Sequence, residues 1–209
     1  MYTIKEIYYT IQGEGYHTGR PAVFIRFTGC NLWSGLEKDR NSAICYWCDT
    51  DFVGINGING GKYSSDNIKN IILDLWPKNR PENPYVVCTG GEPLLQMDNK
   101  LISMIHKIGF EIGVETNGTI IPPADIDWIC VSPKANAELL LIEGDELKII
   151  YPQTGMNPKE HEELDFDHFF LQPMDGPMQN NNMKKAEEFI ALHPQWKLSI
   201  QTHKILGIP

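Results

Sequence analysis

Three cysteines, Cys30, Cys45 and Cys48, are spaced with fourteen residues between the first two and two between the last two. A closed structural zinc site or an electron-transfer cluster takes four protein ligands. Three thiolates leave one position open. On a [4Fe–4S] cluster the open iron can bind a cofactor or substrate, which turns an electron carrier into a catalyst. The same residues admit two plainer readings: His17 or Asp49 completes a zinc site, or the cysteines simply pack. Trp47, directly before Cys48, suits a flat cofactor lying over a cluster and equally suits a core. Cys88 and Cys130 lie in apolar runs, where a free thiol behaves as a small hydrophobe.

Other residues could serve chemistry near such a site. Arg26 interrupts the apolar run Ala22–Phe27, and a buried guanidinium needs an anion, either a substrate carboxylate or an internal partner such as Glu14. Gly90-Gly91-Glu92-Pro93 sets bare backbone at the end of an apolar run, where it can approach a ligand or merely turn. Thr50 could offer a hard oxygen to Mg²⁺ or, like Asp49, cap local backbone. Glu14 and Glu115 are candidate acid–base groups by residue type.

These residues need elements to position them. Apolar runs at Ala22–Phe27, Tyr85–Cys88, Glu111–Val114, Trp128–Val131, Leu147–Ile150, Phe169–Leu171 and Lys197–Ile200 each end in polar or turn residues, among them Ser132-Pro133-Lys134 and Gln172-Pro173-Met174-Asp175. Helical periodicity marks Ser65–Trp76, Asn99–Ile108 and Met183–His193. The alternation predicts an α/β fold with a mainly parallel sheet, its chemistry at the strands' C-terminal ends. A full eight-fold barrel takes about 250 residues, so 209 residues with few helices point to an incomplete, open TIM-type β/α barrel. One domain, 1–209, is expected, with a cluster-binding loop at about 30–48; the Gly/Asn-rich stretch Gly54–Gly61 reads as a surface loop.

Hydrophobic residues make up 42% of the chain and charged ones 22%, and the formal net charge is −9. That balance fits a folded globular protein and disfavours nucleic acid or an anionic membrane as partner. No apolar run approaches the roughly 20 residues of a membrane span. An odd number of cysteines, five, with no sign of an export signal, argues against a disulfide framework and for a cytoplasmic protein.

Cys45-Tyr46-Trp47-Cys48 resembles the second half of the radical S-adenosylmethionine (SAM) signature. The longer first gap is similar to one family within it, the 7-carboxy-7-deazaguanine synthases of queuosine biosynthesis. Further matching pieces run nearly end to end: Thr10 to Gly15, Arg26 to Leu32, Cys48-Asp49-Thr50, Thr89 to Pro93, Glu115 to Gly118, Ser132 to Lys134, Gln172 to Asp175 and Gln201 to Pro209.

The resemblance implies a lyase that contracts the ring of 6-carboxy-5,6,7,8-tetrahydropterin to 7-carboxy-7-deazaguanine with loss of ammonia. It implies a [4Fe–4S] cluster on Cys30, Cys45 and Cys48, and Mg²⁺ on Thr50. SAM falls to Trp47, Gly91, Glu92, Ser132, Pro133, Lys134, Gln172, Pro173, Met174 and Asp175. Substrate falls to Ile11, Gln12, Gly13, Glu14, Arg26, Thr89, His203 and Pro209. A flavodoxin or ferredoxin-type electron donor and a homodimer are implied as well. Two competing readings are a glycyl-radical-enzyme activase, which the long gap and short chain disfavour, and a zinc-stabilised binding module.

Overall fold

The computed structural model describes residues 1–79 and 83–209. Its first strand, β1 (Tyr2–Ile11), buries Ile4 and Ile7 completely, a bulge between Ile4 and Glu6 bringing these two positions to the same side. It pairs antiparallel with β2 (Pro21–Phe27) on one side and β3 (Gly61–Tyr63) on the other. The Gly/Asn-rich stretch is a loop laid along β1 rather than free in solvent: Gly57 N–H donates to Lys5 O at 3.1 Å, and Ile7 N–H donates to Ile58 O at 2.8 Å. Its last residue, Gly61, opens β3.

Beyond β2 the pattern becomes β/α. Helix α1 (Ser65–Leu75) starts on a capping box from Ser64 and Asn67, and buries Ile68 and Ile72. It leads to β4 (Tyr85–Gly90). Helix α2 (Asn99–Lys107), capped by Asp98, follows and leads to β5 (Glu111–Thr116). Two connections without an α-helix then reach β6 (Trp128–Val131) and β7 (Glu143–Tyr151). The chain closes with β8 (Asp165–Pro173), α3 (Gln179–Leu192), β9 (Trp196–Leu198) and α4 (Thr202–Leu206).

Among the described residues these strands form one sheet of nine in the order β3-β1-β2-β4-β5-β6-β7-β8-β9. Every neighbouring pair from β2 to β9 runs parallel. The fold is mixed α/β with a mostly parallel sheet, as the sequence predicts.

Alternation across the strands separates core from site. On one face Val23, Ile25, Phe27, Val86, Cys88, Ile112, Val114, Leu147, Ile149 and Leu171 join Ile68, Leu101, Ile105 and Ala186 of the helices in the main core. The other face carries Arg26, Thr89, Glu115, Cys130, Lys148 and Gln172, all of which line a cavity. Cys88 and Cys130 are buried, as expected of thiols within apolar strands.

Candidate active site

The cavity has a volume of about 400 Å³ and is walled by the C-terminal halves of β4 to β8, the segment joining β1 to β2, the cysteine loop and α4. All three candidate cluster cysteines line it, together with Trp47 and Thr50.

The cysteine loop is held from within. A 3₁₀ turn at Glu37–Ser42 presents Arg40, whose guanidinium donates to Tyr46 O at 2.8 Å and Cys48 O at 3.0 Å. Glu37 accepts from Arg40 Nε at 2.8 Å, and the Trp33 ring lies 4.0 Å from its guanidinium carbon. Leu32 O accepts the N–H groups of Ile44 and Cys45, and Leu32 N–H points at Cys30 Sγ at 3.4 Å.

A hydrogen bond between Cys45 and Cys48 drives their thiols apart in acidity, Cys48 below and Cys45 above the ordinary value. Burial raises Cys30. His17 packs against Trp128, with ring centroids 4.2 Å apart, outside this cavity's lining. Asp49 accepts from Lys204 Nζ at 2.8 Å. His17 therefore does not gather at the thiols, whereas Asp49 lines the cavity with them but is tied up by Lys204. Among the described residues no three His, Cys, Asp or Glu side chains group as a single ion requires, whereas thiolates on a [4Fe–4S] cluster each take a separate iron.

Backbone proximity explains Gly91. A Cβ there would lie 2.1 Å from Gly29 O and 2.9 Å from Cys30 Cβ, so only glycine lets the end of β4 lie against the turn that carries Cys30. Glu92, in the same tetrapeptide, faces elsewhere. Its carboxylate is fully buried and accepts from Leu94 N–H at 3.0 Å, Thr116 Oγ1 at 2.8 Å and Asn117 N–H at 2.8 Å. It braces the ends of β4 and β5 and does not line the cavity, so a SAM contact through this carboxylate is not what the geometry offers.

Pro133 also stays outside the lining, between Ser132 and Lys134, which do line it. Lys134 Nζ folds onto Ser132 O at 2.7 Å and Ser132 Oγ at 2.6 Å, 5.6 Å from the Trp47 ring centroid. Gln172, Pro173, Met174 and Asp175 all line the cavity; Ser199 Oγ donates to Gln172 Oε1 at 2.9 Å.

A charged group also lines the cavity. Lys148 donates to Glu14 Oε2 at 2.7 Å and lies 3.7 Å from Glu115 Oε1. Gln201 Nε2 donates to Glu14 Oε1 at 3.0 Å, and Gln12 Nε2 to Glu115 Oε1 at 2.9 Å. Thr89 Oγ1 reaches Glu115 Oε2 at 3.2 Å. Burial alone would raise Glu14, but Lys148 and these hydrogen bonds hold its carboxyl below the ordinary range.

Arg26 pairs with Glu6 at 2.8 Å and with Tyr8 Oη at 3.0 Å. The internal partner is thus Glu6, not Glu14, because the β1–β2 register sets Glu6 opposite Arg26. A bulge between Ile4 and Glu6 turns both Lys5 and Glu6 toward the cavity. Ile11, Gly13, His203 and Pro209 line the cavity too. A Cβ on Gly13 would fall 2.3 Å from His203 Nδ1, and Thr10 Oγ1 donates to Pro209 O at 3.1 Å.

Sequence reasoning passed over Lys148, Lys5, Glu6 and Tyr8. Lys148 carried the signal used for Arg26, a lone charge inside an apolar strand; Lys5, Glu6 and Tyr8 lie in β1, whose alternation the two adjacent charges break.

No family model matches the chain. It is 53% identical over 209 residues to the 7-carboxy-7-deazaguanine synthase of Burkholderia multivorans, covering 100% of this chain and 99% of that protein. It is 56% identical over 208 residues to the enzyme of the same name from Bradyrhizobium diazoefficiens, covering 99% of each. The crystal structure of QueE from Escherichia coli superposes with a TM-score of 0.72 at 26% identity, over 97% of this chain and 94% of that one. This chain belongs to the 7-carboxy-7-deazaguanine synthase family of enzymes.

Proposed function

We propose that this chain is a single-domain radical SAM lyase, folded as an open, partial β/α barrel. It contracts the ring of 6-carboxy-5,6,7,8-tetrahydropterin to 7-carboxy-7-deazaguanine and releases ammonia. What carries the reading is one convergence: the three cysteines, the polar ends of β4 to β8 and the Glu14–Lys148–Glu115 group all line the same cavity. A partial rather than closed barrel is supported by the strand order, in which β3 and β9 are edges that do not pair with each other among the described residues.

The donor set fits the cofactors. Cys30, Cys45 and Cys48 would hold the [4Fe–4S] cluster. Gly91, Ser132, Lys134, Trp47 and Gln172 to Asp175 would hold SAM, with Glu92 and Pro133 shaping the loops that carry these contacts. Thr50 would offer its oxygen to Mg²⁺, which keeps the rest of its shell as water or substrate oxygens. When bound and reduced, the cluster with SAM supplies a 5′-deoxyadenosyl radical.

The chain's own residues then do the rest. Ile11, Gln12, Gly13, Thr89 and Pro209 shape and hydrogen-bond the pterin end. Arg26, fixed by Glu6 and Tyr8, has N–H groups beyond those two bonds for a substrate carboxylate. Lys148 neutralises one of its two carboxylate neighbours, and Glu115 or Glu14 handles the proton of the elimination. His203, on α4, closes the cavity from the C-terminal side, so that orientation and exclusion of water precede chemistry. The enzyme would work in the cytoplasm as a homodimer, reduced by a flavodoxin or ferredoxin-type donor.

The test is anaerobic reconstitution with iron and sulfide of the wild type and of Cys48→Ser. The wild type should turn brown and cleave SAM under dithionite, and the variant should do neither. A colourless wild type that retains zinc would overturn the reading.

A further inference from the structure

Behind the carboxylates of the main cavity lies a second one of about 10 Å³, the space of roughly one water. Gln12, Glu14, Glu115 and Cys130 line both cavities, while Glu146 lines only the inner one. Glu146 is 3% exposed. Its Oε2 accepts from Tyr16 N–H at 3.1 Å, and its Oε1 is buried with no hydrogen-bond partner among the described residues. The backbone makes room for this oxygen: Gly15 has φ +65°, and a Cβ there would lie 2.0 Å from Glu146 Oε1.

A buried carboxylate oxygen without a donor is costly. The charges around it do not relieve that cost. Lys148 on the same strand is shared between Glu14 and Glu115, leaving a third acid against one ammonium. Cys130 faces Glu146 from β6, Tyr85 from β4 and Tyr16 and His17 from the β1–β2 segment; His168 is its neighbour in register on β8. None of these is a fixed cation. Burial pushes Glu146 above the ordinary carboxylate range, against the pull of Lys148, the Tyr16 N–H and a hydrogen bond with Cys130, and the partnerless Oε1 beside the inner cavity is where a proton would sit.

We propose that Glu146 is a buried proton relay that recharges Glu115 through the inner cavity, with the half-buried His17 joining that cavity to solvent. The inference rests on the proposed loss of ammonia. As the C–N bond breaks, its electron pair leaves on nitrogen, which takes a proton from the acid form of Glu115. Glu115, now a carboxylate, regains a proton from Glu146 by way of one water. The ring, on becoming aromatic, gives its proton to the Glu14 carboxylate, which returns it to solvent, while Glu146 is refilled from solvent past His17, so one proton enters for each that leaves. Glu146 touches neither substrate nor SAM, and acts through Glu115.

The experiment compares wild type, Glu146→Gln and Glu146→Asp as full chains, by infrared spectroscopy before reconstitution and by turnover after it. The wild type should show the carbonyl stretch of a protonated carboxyl at neutral pH, and Glu146→Gln should lose it. Glu146→Gln should cleave SAM at the wild-type rate with KM for the pterin within about two-fold. It should form product roughly 10- to 100-fold more slowly, and the fall in kcat as pH rises should vanish. Glu146→Asp should keep that limb and recover most of the rate.

An enzyme that turns over without the carboxyl band overturns the relay, as does a Glu146→Gln variant with wild-type kcat and an unchanged pH profile. If Glu146→Gln does not fold, a Glu146→Asp variant that folds with no pH limb overturns it equally. A wild type that holds the band, cleaves SAM and makes no product overturns the reaction instead.

Discussion

Lys148 places its ammonium 2.7 Å from Glu14 and 3.7 Å from Glu115, with only 5% of its side chain exposed. It ties β7 to the segment joining β1 and β2 and to β5, and so fixes one wall of the cavity. Lys148→Met removes one member of a buried pair and leaves two acids uncompensated. The expected loss is roughly 3–5 kcal/mol of stability, read as a lower midpoint in urea. The double variant Glu14→Gln/Lys148→Met should recover part of that loss, since the stranded charge is then removed as well.

Two buried acids in this group carry opposite shifts, so their pH dependences have opposite signs. Glu14 is held below its ordinary 4.5. Its ionised form stabilises the fold above that pH, and the benefit fades as pH falls through 4.5 and below. Glu146 is raised above 4.5, so the fold loses stability as pH climbs from 4.5 through the shifted value. Urea unfolding between about pH 2 and 8 should show Glu14→Gln closing on the wild type as pH falls from 4.5 toward about 2, and Glu146→Gln gaining on it toward neutral pH.

Gly91→Ala tests the contact between the end of β4 and Cys30. The added methyl meets Gly29 O and Cys30 Cβ, and the neighbouring backbone must shift by more than a rotamer can absorb. We expect about 1–3 kcal/mol of destabilisation and a reconstituted protein with much less iron per chain than wild type. Iron and sulfide assays alongside thermal melting check both effects.

Lys204 on α4 bridges Asp49 at 2.8 Å and Asp175 at 2.5 Å, joining the cysteine loop to the end of β8. These groups are largely solvated, so Lys204→Ala should change global stability by less than about 1 kcal/mol. Locally the effect should be larger. Hydrogen exchange over residues 202–209 should accelerate several-fold while the strands keep their protection.

How much of this was legible in the sequence depends on where charges fall in the strands. Trp128–Val131, wholly apolar, is β6 at its observed limits. The run Leu147–Ile150 is only the second half of β7, because Glu143, Asp145 and Glu146 disguise the first half. β1 was not read as a strand at all: Lys5 and Glu6 interrupt its alternation, and the bulge beside them breaks the period. That omission hid the partner of Arg26, since Glu6 becomes visible only once β1 is paired with β2.

The start of α3 at Gln179, four residues before the apolar pattern, lies in an Asn-rich stretch without a side-chain cap. Site residues carried by strand endings were legible because polarity changes there. The role of Lys148 was not, because its partners come from segments distant in the chain. Glu92 was legible as a motif member, but its inward turn depends on Thr116 and Asn117 of the next strand end.

Reconstituted protein should be supplied anaerobically with 6-carboxy-5,6,7,8-tetrahydropterin, SAM, dithionite and Mg²⁺, and the products followed by mass spectrometry. 7-Carboxy-7-deazaguanine should form together with stoichiometric ammonia. A protein that cleaves SAM and leaves the pterin intact would contradict the proposed reaction.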